Sequence, residues 1–248
     1  MALEWILFDC METLVDMDPI PQQIDYAGWA FHGSGVEACW KTFDSFFCDY
    51  QKAAQFLEKK LPPLKEWTVR DRLALACGYN NVIDGLERDD FISTLEKNFF
   101  KNYLQNCFVH KDVIEMLPVL AKQYKLGVVS NFKTEDGIET ILKSFDLIRY
   151  FSHITTSVKN GWRKPNPEIY KESIGKCEVE KSAILFIGDD LECDVKTPMA
   201  LGMQAIYFNR NNKKQAHSSF ITVDCFSEIP EKIDKTILSP KVSGALKN

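Results

Sequence analysis

Four short clusters in this 248-residue chain carry side chains able to do chemistry. The first is Phe8-Asp9-Cys10-Met11-Glu12-Thr13-Leu14, in which Asp9 closes an apolar run. A carboxylate at the lip of a buried strand can attack an electrophile or ligate a metal; it can equally cap a helix or close a turn. The second, Val129-Ser130-Asn131-Phe132, sets a hydroxyl beside an amide. Those groups hold phosphate or carboxylate oxygens, or simply form an Asx or Ser turn. The third is Gly161-Trp162-Arg163-Lys164-Pro165-Asn166-Pro167. Two cations before a proline-fixed turn can aim Lys164 at an anion, or form a solvated basic loop. The fourth, Ile187-Gly188-Asp189-Asp190-Leu191-Glu192-Cys193-Asp194, packs four acids into eight residues. Crowded carboxylates repel one another unless a cation neutralises them, which points to a hard metal. Acids that complement a helix N-terminus account for one or two of the four.

These clusters fall at the ends of short apolar runs. Leu3–Phe8, Leu126–Ser130, Ile184–Ile187 and Ala205–Phe208 show no alternation, as in strands covered on both faces. His153–Thr156 and Phe220–Val223 are weaker runs of the same kind. Helical stretches separate them at Asp112–Tyr124, Glu135–Phe145, Pro167–Ile174 and Leu191–Leu201, with Asn166-Pro167 as an N-cap and first helical proline. Gly202 follows its helix, where a left-handed residue is needed. Strands alternating with helices predict an α/β fold with a doubly wound parallel sheet. Such sheets bind ligands beyond the carboxyl ends of their strands.

The stretch between the first strand and residue 110 differs. Phe43, Phe46, Phe47 and Tyr50 recur at three- and four-residue steps, as do Phe91, Leu95, Phe99 and Tyr103. Those steps predict amphipathic helices with aromatic stripes packed into a core, and Leu61-Pro62-Pro63-Leu64 must break one of them. The expected division is a core of residues 1–16 and 111–248 with an inserted all-helical domain over 17–110. Trp29, His32, Trp40 and Lys41 are candidate lining residues of that insertion, although large apolar rings such as the two tryptophans more often pack into the core. Tyr207-Phe208-Asn209-Arg210 reads as a surface loop without chemistry.

A formal charge of −5 argues against a general nucleic-acid binder. No run approaches the length of a membrane span, and Met1–Cys10 carries Glu4 and Asp9 and lacks the basic stretch of a signal peptide. The eight cysteines form no C-x-x-C pair. They read as small core hydrophobes of a reduced, cytoplasmic protein. The four histidines show no ligand spacing.

Taken together, Asp9, then Ser130-Asn131, then Lys164-Pro165, then Gly188-Asp189-Asp190 with Asp194, resemble the haloacid dehalogenase-like (HAD) hydrolase superfamily. The helical insertion falls where subclass I members carry a C1-type cap. The resemblance implies a Rossmann-like core and a nucleophilic Asp9 that forms an aspartyl intermediate. It implies that Ser130 and Thr13 bind the oxygens of the transferred group, with Asn131 and Arg163 nearby toward the substrate. Lys164 would neutralise charge. Mg²⁺ would sit on Asp9, Asp189 and the backbone carbonyl of Met11, with Asp194 or Asp190 in support. The expected partner is a small phosphorylated molecule, and the expected state is a monomer or homodimer.

One position departs from that pattern. Phosphatases of the superfamily usually read Asp-x-Asp-Gly-Thr-Leu, whereas Met11 and Glu12 stand third and fourth here. The missing second aspartate is the group that protonates the leaving group and activates water, help that typically contributes about 10²–10⁴ in rate. Glu12 is adjacent, but neighbouring side chains on an extended chain point to opposite faces. Three readings follow, in order of expectation. The first is a Mg²⁺-dependent phosphatase suited to good leaving groups. The second is a scaffold that binds a phosphorylated ligand or a protein and turns over negligibly. The third is a 2-haloacid dehalogenase, for which Thr13, Ser130, Asn131, Lys164 and Tyr170 fit. That third pattern also calls for a cap arginine about thirty residues after the nucleophile, where only Lys41 is available.

Overall fold

The computed structural model describes residues 2–80, 88–210 and 220–238. Strand β1 (Trp5–Phe8) leads into four helices, α1 (Gln23–Phe31), α2 (Phe43–Lys60), α3 (Val69–Tyr79) and α4 (Arg88–Gln105). The chain then alternates through α5 (Lys111–Ala121), β2 (Lys125–Ser130), α6 (Gly137–Ser144), β3 (Phe151–Thr156), the short α7 (Ser157–Asn160) and α8 (Pro167–Cys177). It closes with β4 (Ile184–Gly188), α9 (Thr197–Ala200), β5 (Gln204–Phe208), β6 (Thr222–Val223) and α10 (Ile229–Leu238).

The six strands form one parallel sheet in the order β3-β2-β1-β4-β5-β6. All four residues of β1 are buried, which explains its unbroken apolar run. The chain moves outward from β1 in both directions, so its carboxyl end is the topological switch point where a crevice opens. Phe8 pairs with Val128 on one side and Ile187 on the other. This register brings Asp9, Ser130 and Asp189 to one end of the sheet.

The helical insertion folds as its aromatic spacing requires. Phe46, Tyr50, Ala53 and Leu57 are the buried face of α2, and Ile92, Leu95, Phe99 and Tyr103 that of α4. Phe31 stacks on Phe46 with centroids 5.0 Å apart, and Trp40 meets Phe46 edge-on at 4.9 Å. Helix α2 ends at Lys60, before the paired prolines. The two chain crossings between insertion and sheet lie together: Asp16 and Phe108 exchange both backbone hydrogen bonds at 2.9 Å.

Two expectations are corrected. Leu191–Leu201 is not one α-helix: residues 191–196 form a π-helical turn and α9 follows. Pro198 lacks the N–H that would continue an α-helical ladder, and the Thr197 N–H reaches back five residues to Glu192 O. Nor is Tyr207–Arg210 a surface loop. Tyr207 and Phe208 are buried in β5, and the Arg210 side chain is 11% exposed. Its Nη2 donates to both oxygens of Asp112 at 2.9 and 3.1 Å, and Nη1 lies 3.5 Å from Asp16 Oδ2. Arg210 therefore ties β5 to α5 and to the crossing at Asp16.

All eight cysteines are free thiols, with Cys10, Cys77 and Cys177 buried and Cys48 exposed. On the flank of the sheet, His153 shares a 2.7 Å hydrogen bond with Ser173 Oγ, while its Nδ1 is buried without a partner. Burial, with Lys176 adding to it, lowers its pKa to about 4. The unfolded chain thus takes up a proton near pH 6.5 that the folded chain refuses until about pH 4, and stability is lost as pH falls across that window. After discounting for partial exposure, the loss expected from His153 is about 2 kcal/mol. Urea unfolding at pH 7 and pH 4.5 should show a shallower acid loss in His153→Gln than in the parent. An identical loss in both would mean that His153 charges without penalty.

Candidate active site

Asp9 follows the last residue of β1, and its backbone N–H donates to Ile187 O at 2.9 Å. The carboxylate therefore projects from the centre of the sheet, and the residue is 9% exposed. Lys164 reaches it from the loop before α8. Its Nζ donates to Asp9 Oδ1 and to Asp194 Oδ1, both at 2.7 Å. Burial alone would depress the ammonium pKa, but Asp194 and Asp9 outweigh it and raise the value, so Lys164 stays charged. Asp194 is fully buried, and desolvation pushes its pKa up to about 7 against the opposing pull of Lys164. Its oxygens nonetheless accept from Lys164 Nζ and from the Asp190 N–H at 3.0 Å, the pattern of an ionised carboxylate.

The lysine is set in place by Asn131. The Asn131 Oδ1 accepts the Lys164 N–H at 2.7 Å, and its Nδ2 donates to Lys164 O at 3.0 Å. Ser130, 1% exposed, ends β2 opposite Thr156. Thr13 is buried with its Oγ1 3.5 Å from Asp189 Oδ1, long for a hydrogen bond. The Tyr170 hydroxyl donates to Cys193 O and so braces the turn that carries Asp194. The four crowded acids are sorted by this turn. Asp190 is an N-cap, accepting from Glu192 N at 2.9 Å and Cys193 N at 2.7 Å. Glu192 pairs with Lys196 on the surface. Asp189 and Asp194 face Asp9, the three carboxylates offering one oxygen each within 4.8 Å of one another.

Gly188 is required by this arrangement. A Cβ at that position would stand 2.5 Å from both Cγ and Oδ2 of Asp194. Gly188→Ala should therefore displace the carboxylate from Lys164, at a cost of about 1–3 kcal/mol in stability together with a loss of catalytic rate. Thermal melts and steady-state rates on the same preparation test this. A variant with unchanged stability and rate would show that the turn yields freely.

Asp9 and Asp194 share the Lys164 ammonium and Asp189 adds a third carboxylate, which leaves negative charge in a partly enclosed crevice. A small hard cation is the partner that such an oxygen set suits. Among the described residues, the Met11 carbonyl and Asp9 Oδ2 accept no hydrogen bond. Met11 itself is half-buried and packs its side chain on the main core. Glu12 adopts a left-handed conformation with φ 63°, which glycine would take without strain.

Arg163 departs from its neighbour. Its Nε lies 3.8 Å from Glu66 Oε2 in the loop between α2 and α3. Glu66, with its side chain 2% exposed, also accepts from Lys133 Nζ at 2.9 Å and from Ser157 Oγ. Backbone bonds reinforce that junction, from Glu66 N to Gly161 O and from Arg163 N to Leu64 O. The helical insertion is thus latched onto the loops after β2 and β3. The cavity beneath it, about 420 Å³, is lined by Tyr26, Trp67, Arg72, Asn131 and Lys133 among others. Trp29, His32, Trp40 and Lys41 do not line it. Trp40 is buried and donates to Asp49, while His32 and Lys41 are exposed. Arg72 carried a legible signal: it falls on the apolar face of α3, between Val69 and Leu73.

A parallel sheet with this strand order, an acid at its central strand and a helical unit over the crevice define a hydrolase class. The sequence pattern of the haloacid dehalogenase-like hydrolases matches residues 36–208, and the chain belongs to that family. The matched stretch begins after the Asp9–Thr13 segment, the segment that departs from the usual motif. Haloacid dehalogenase-like hydrolase domain-containing protein 3 of Danio rerio is 26% identical over 230 residues, covering 87% of this chain and 88% of that protein. Glyceraldehyde 3-phosphate phosphatase of Pyrococcus abyssi is 28% identical over 85 residues, 34% of this chain and 35% of that one. The 2-haloacid dehalogenase from Pseudomonas syringae pv. Tomato DC3000 shares the fold with a TM-score of 0.75 at 21% identity, over 94% of this chain and 99% of that one. The expected α/β core and inserted helical cap are both present. No helix among the described residues is long and apolar enough to cross a membrane.

Proposed function

We propose that this hydrolase is a Mg²⁺-dependent phosphatase acting on a small phosphorylated metabolite through an aspartyl-phosphate at Asp9. The observation that carries this reading is the convergence of three carboxylates, Asp9, Asp189 and Asp194, with the Lys164 ammonium held between Asp9 and Asp194. Asp9 and Asp189, with the Met11 carbonyl, are the groups that would hold Mg²⁺, which would supply charge neutralisation at the phosphoryl oxygens. Asp194 supports from behind, since both its oxygens already accept hydrogen bonds.

Asp9 Oδ2 attacks phosphorus while Oδ1 stays on Lys164. Lys164 balances the charge of nucleophile and phosphoryl group, and Asn131 holds its backbone so that it does not swing away. Ser130 and Thr13 take the phosphoryl oxygens, and positioning of this kind is most of what phosphoryl transfer needs. The leaving group departs without a protein acid, because Met11 occupies that place. Acyl and aryl phosphates therefore suit the site best. Water then cleaves the aspartyl-phosphate, releasing inorganic phosphate and restoring the Asp9 carboxylate. The phosphatase named among the relatives adds support, and the eight free thiols favour a reducing, cytoplasmic setting. We take the cap as residues 17–110, the pairing of Asp16 with Phe108 supporting that boundary.

The first experiment is hydrolysis of p-nitrophenyl phosphate and acetyl phosphate with and without Mg²⁺. Release that depends on the metal supports the phosphatase. Folded protein inert toward both favours instead the binding scaffold to which Met11 points, and 2-chloropropionate then tests the dehalogenase whose fold it shares.

A further inference from the structure

The cap cavity has an unusual charge. Arg72, Lys133 and Arg163 line it with one lining carboxylate, the exposed Glu58, while Glu66 pairs with Lys133 and Arg163 from the latch beside it. Arg72 is 4% exposed, yet no carboxylate among the described residues lies within 4.0 Å of it. Its Nε donates to Tyr50 O and its Nη1 to Gln23 Oε1, both at 2.8 Å and both neutral acceptors. The guanidinium lies 3.4 Å over the Tyr50 ring centroid. A buried charge is ordinarily paired, so this one lacks the anion its surroundings call for. Lys133 sits 3.1 Å over the Trp67 ring and 2.9 Å from Glu66. The Nε of Arg163 is buried 3.8 Å from Glu66 Oε2 and makes no hydrogen bond. Location links the cavity to the reacting centre: Asn131 and Lys133 follow Ser130, and Arg163 precedes Lys164.

We propose that this cavity binds a second anionic group of the substrate, a carboxylate or phosphate on the portion that is not transferred. Arg72 and Arg163 grip its oxygens, Lys133 adds charge, and Tyr50 and Trp67 flank the carbon skeleton between the two anions. The guanidinium fork suits either kind of planar or tetrahedral oxyanion. The assignment of the reacting end to Asp9 rests on the phosphatase reading; the anion pocket itself does not.

The test is calorimetric titration of the full-length Asp9→Asn variant, in Mg²⁺, with phenyl phosphate, 4-carboxyphenyl phosphate and 1,4-phenylene bisphosphate. At least one of the two ligands that carry a second anionic group should bind about 10-fold or more tightly than phenyl phosphate. Which of them binds better identifies carboxylate or phosphate as the second group. Arg72→Gln and Arg163→Gln should each bring that ratio toward one. Because the readout is a ratio of ligands on one protein, a merely structural role would leave it unmoved. Should Arg72→Gln fail to fold, Arg163→Gln, on a half-exposed side chain, decides. Equal affinity for all three ligands, or a ratio that survives substitution, overturns the proposal. Turnover by the parent enzyme separates the two claims. Equal kcat/KM on all three ligands sinks the pocket and leaves the phosphatase. Binding preference without any hydrolysis sinks the phosphatase and leaves the pocket.

Discussion

Replacing Asp9 with asparagine is expected to bring hydrolysis down to the level of the uncatalysed blank. Loss of a nucleophile in a preorganised site costs on the order of 10⁴–10⁶ in rate, and an amide oxygen is too weak a nucleophile to substitute. The fold should survive, because an asparagine oxygen can still accept from Lys164 Nζ, and Asp194 remains as the ion-pair partner of that lysine. Removing one of three converging carboxylates also relieves repulsion in the crevice. The expected result is therefore an inactive protein with an unchanged or slightly raised melting temperature. Rates on acetyl phosphate beside thermal melts check both halves. Full activity in a folded Asp9→Asn would remove the assigned nucleophile.

Met11→Asp is expected to act in the opposite direction. An acid two residues after the nucleophile would return a proton donor for the leaving group, with an expected gain of about 10²–10⁴ on alkyl phosphates. In single-turnover formation of the aspartyl-phosphate, acetyl phosphate, whose leaving group needs little protonation, should change far less. The selective gain distinguishes acid catalysis from a general improvement in folding. Some stability is lost, since Met11 packs against the main core and a carboxylate does not. Glu12 is the second obstacle, for its left-handed backbone sits where the usual motif has glycine. Met11→Asp combined with Glu12→Gly should therefore exceed the single variant. Rates that do not move in folded protein would mean that protonation of the leaving group is not what limits this enzyme.

Much of the core was legible because its signals are local. The unbroken apolar run ending at Phe8 reports a strand buried on both faces, and the three- and four-residue spacing of Phe46, Tyr50 and Phe99, Tyr103 reports helices. Asn166 does cap α8, accepting from Glu168 N at 3.0 Å, and Gly202 has the left-handed φ of 96° that its place after a helix requires. Asp9, Lys164 and the acidic cluster could be named because their residue types and order along the chain restrict the chemistry available to them. The misread positions depend on partners far away. Arg210 follows a strand as any loop residue would, and only the meeting of β5 with α5 and Asp16 makes it an anchor. Nothing local in the sequence marks Trp67, and only the latch at Glu66 brings it to the cavity, whereas Trp40 is buried against Phe31 and Phe46.

The amino-acid order by itself determined the strand and helix types, the inserted helical unit and the identity of the groups at each strand end. It did not determine which of four acids meets the ammonium. Asp189, Asp190, Glu192 and Asp194 are chemically almost equivalent within eight residues, and they are distinguished by where the π-helical turn points each one. Asp190 turns back to cap its own chain, Glu192 meets Lys196 in solvent, and Asp194 is driven under Gly188 to Lys164. The contact of Lys164 with Asp9 joins residues 155 apart, and that of Glu66 with Ser157 joins residues 91 apart. Such contacts depend on sheet register and on the docking of the cap. Burial then gives them their strength, because desolvation makes each of these charges dependent on the partner that the tertiary structure supplies.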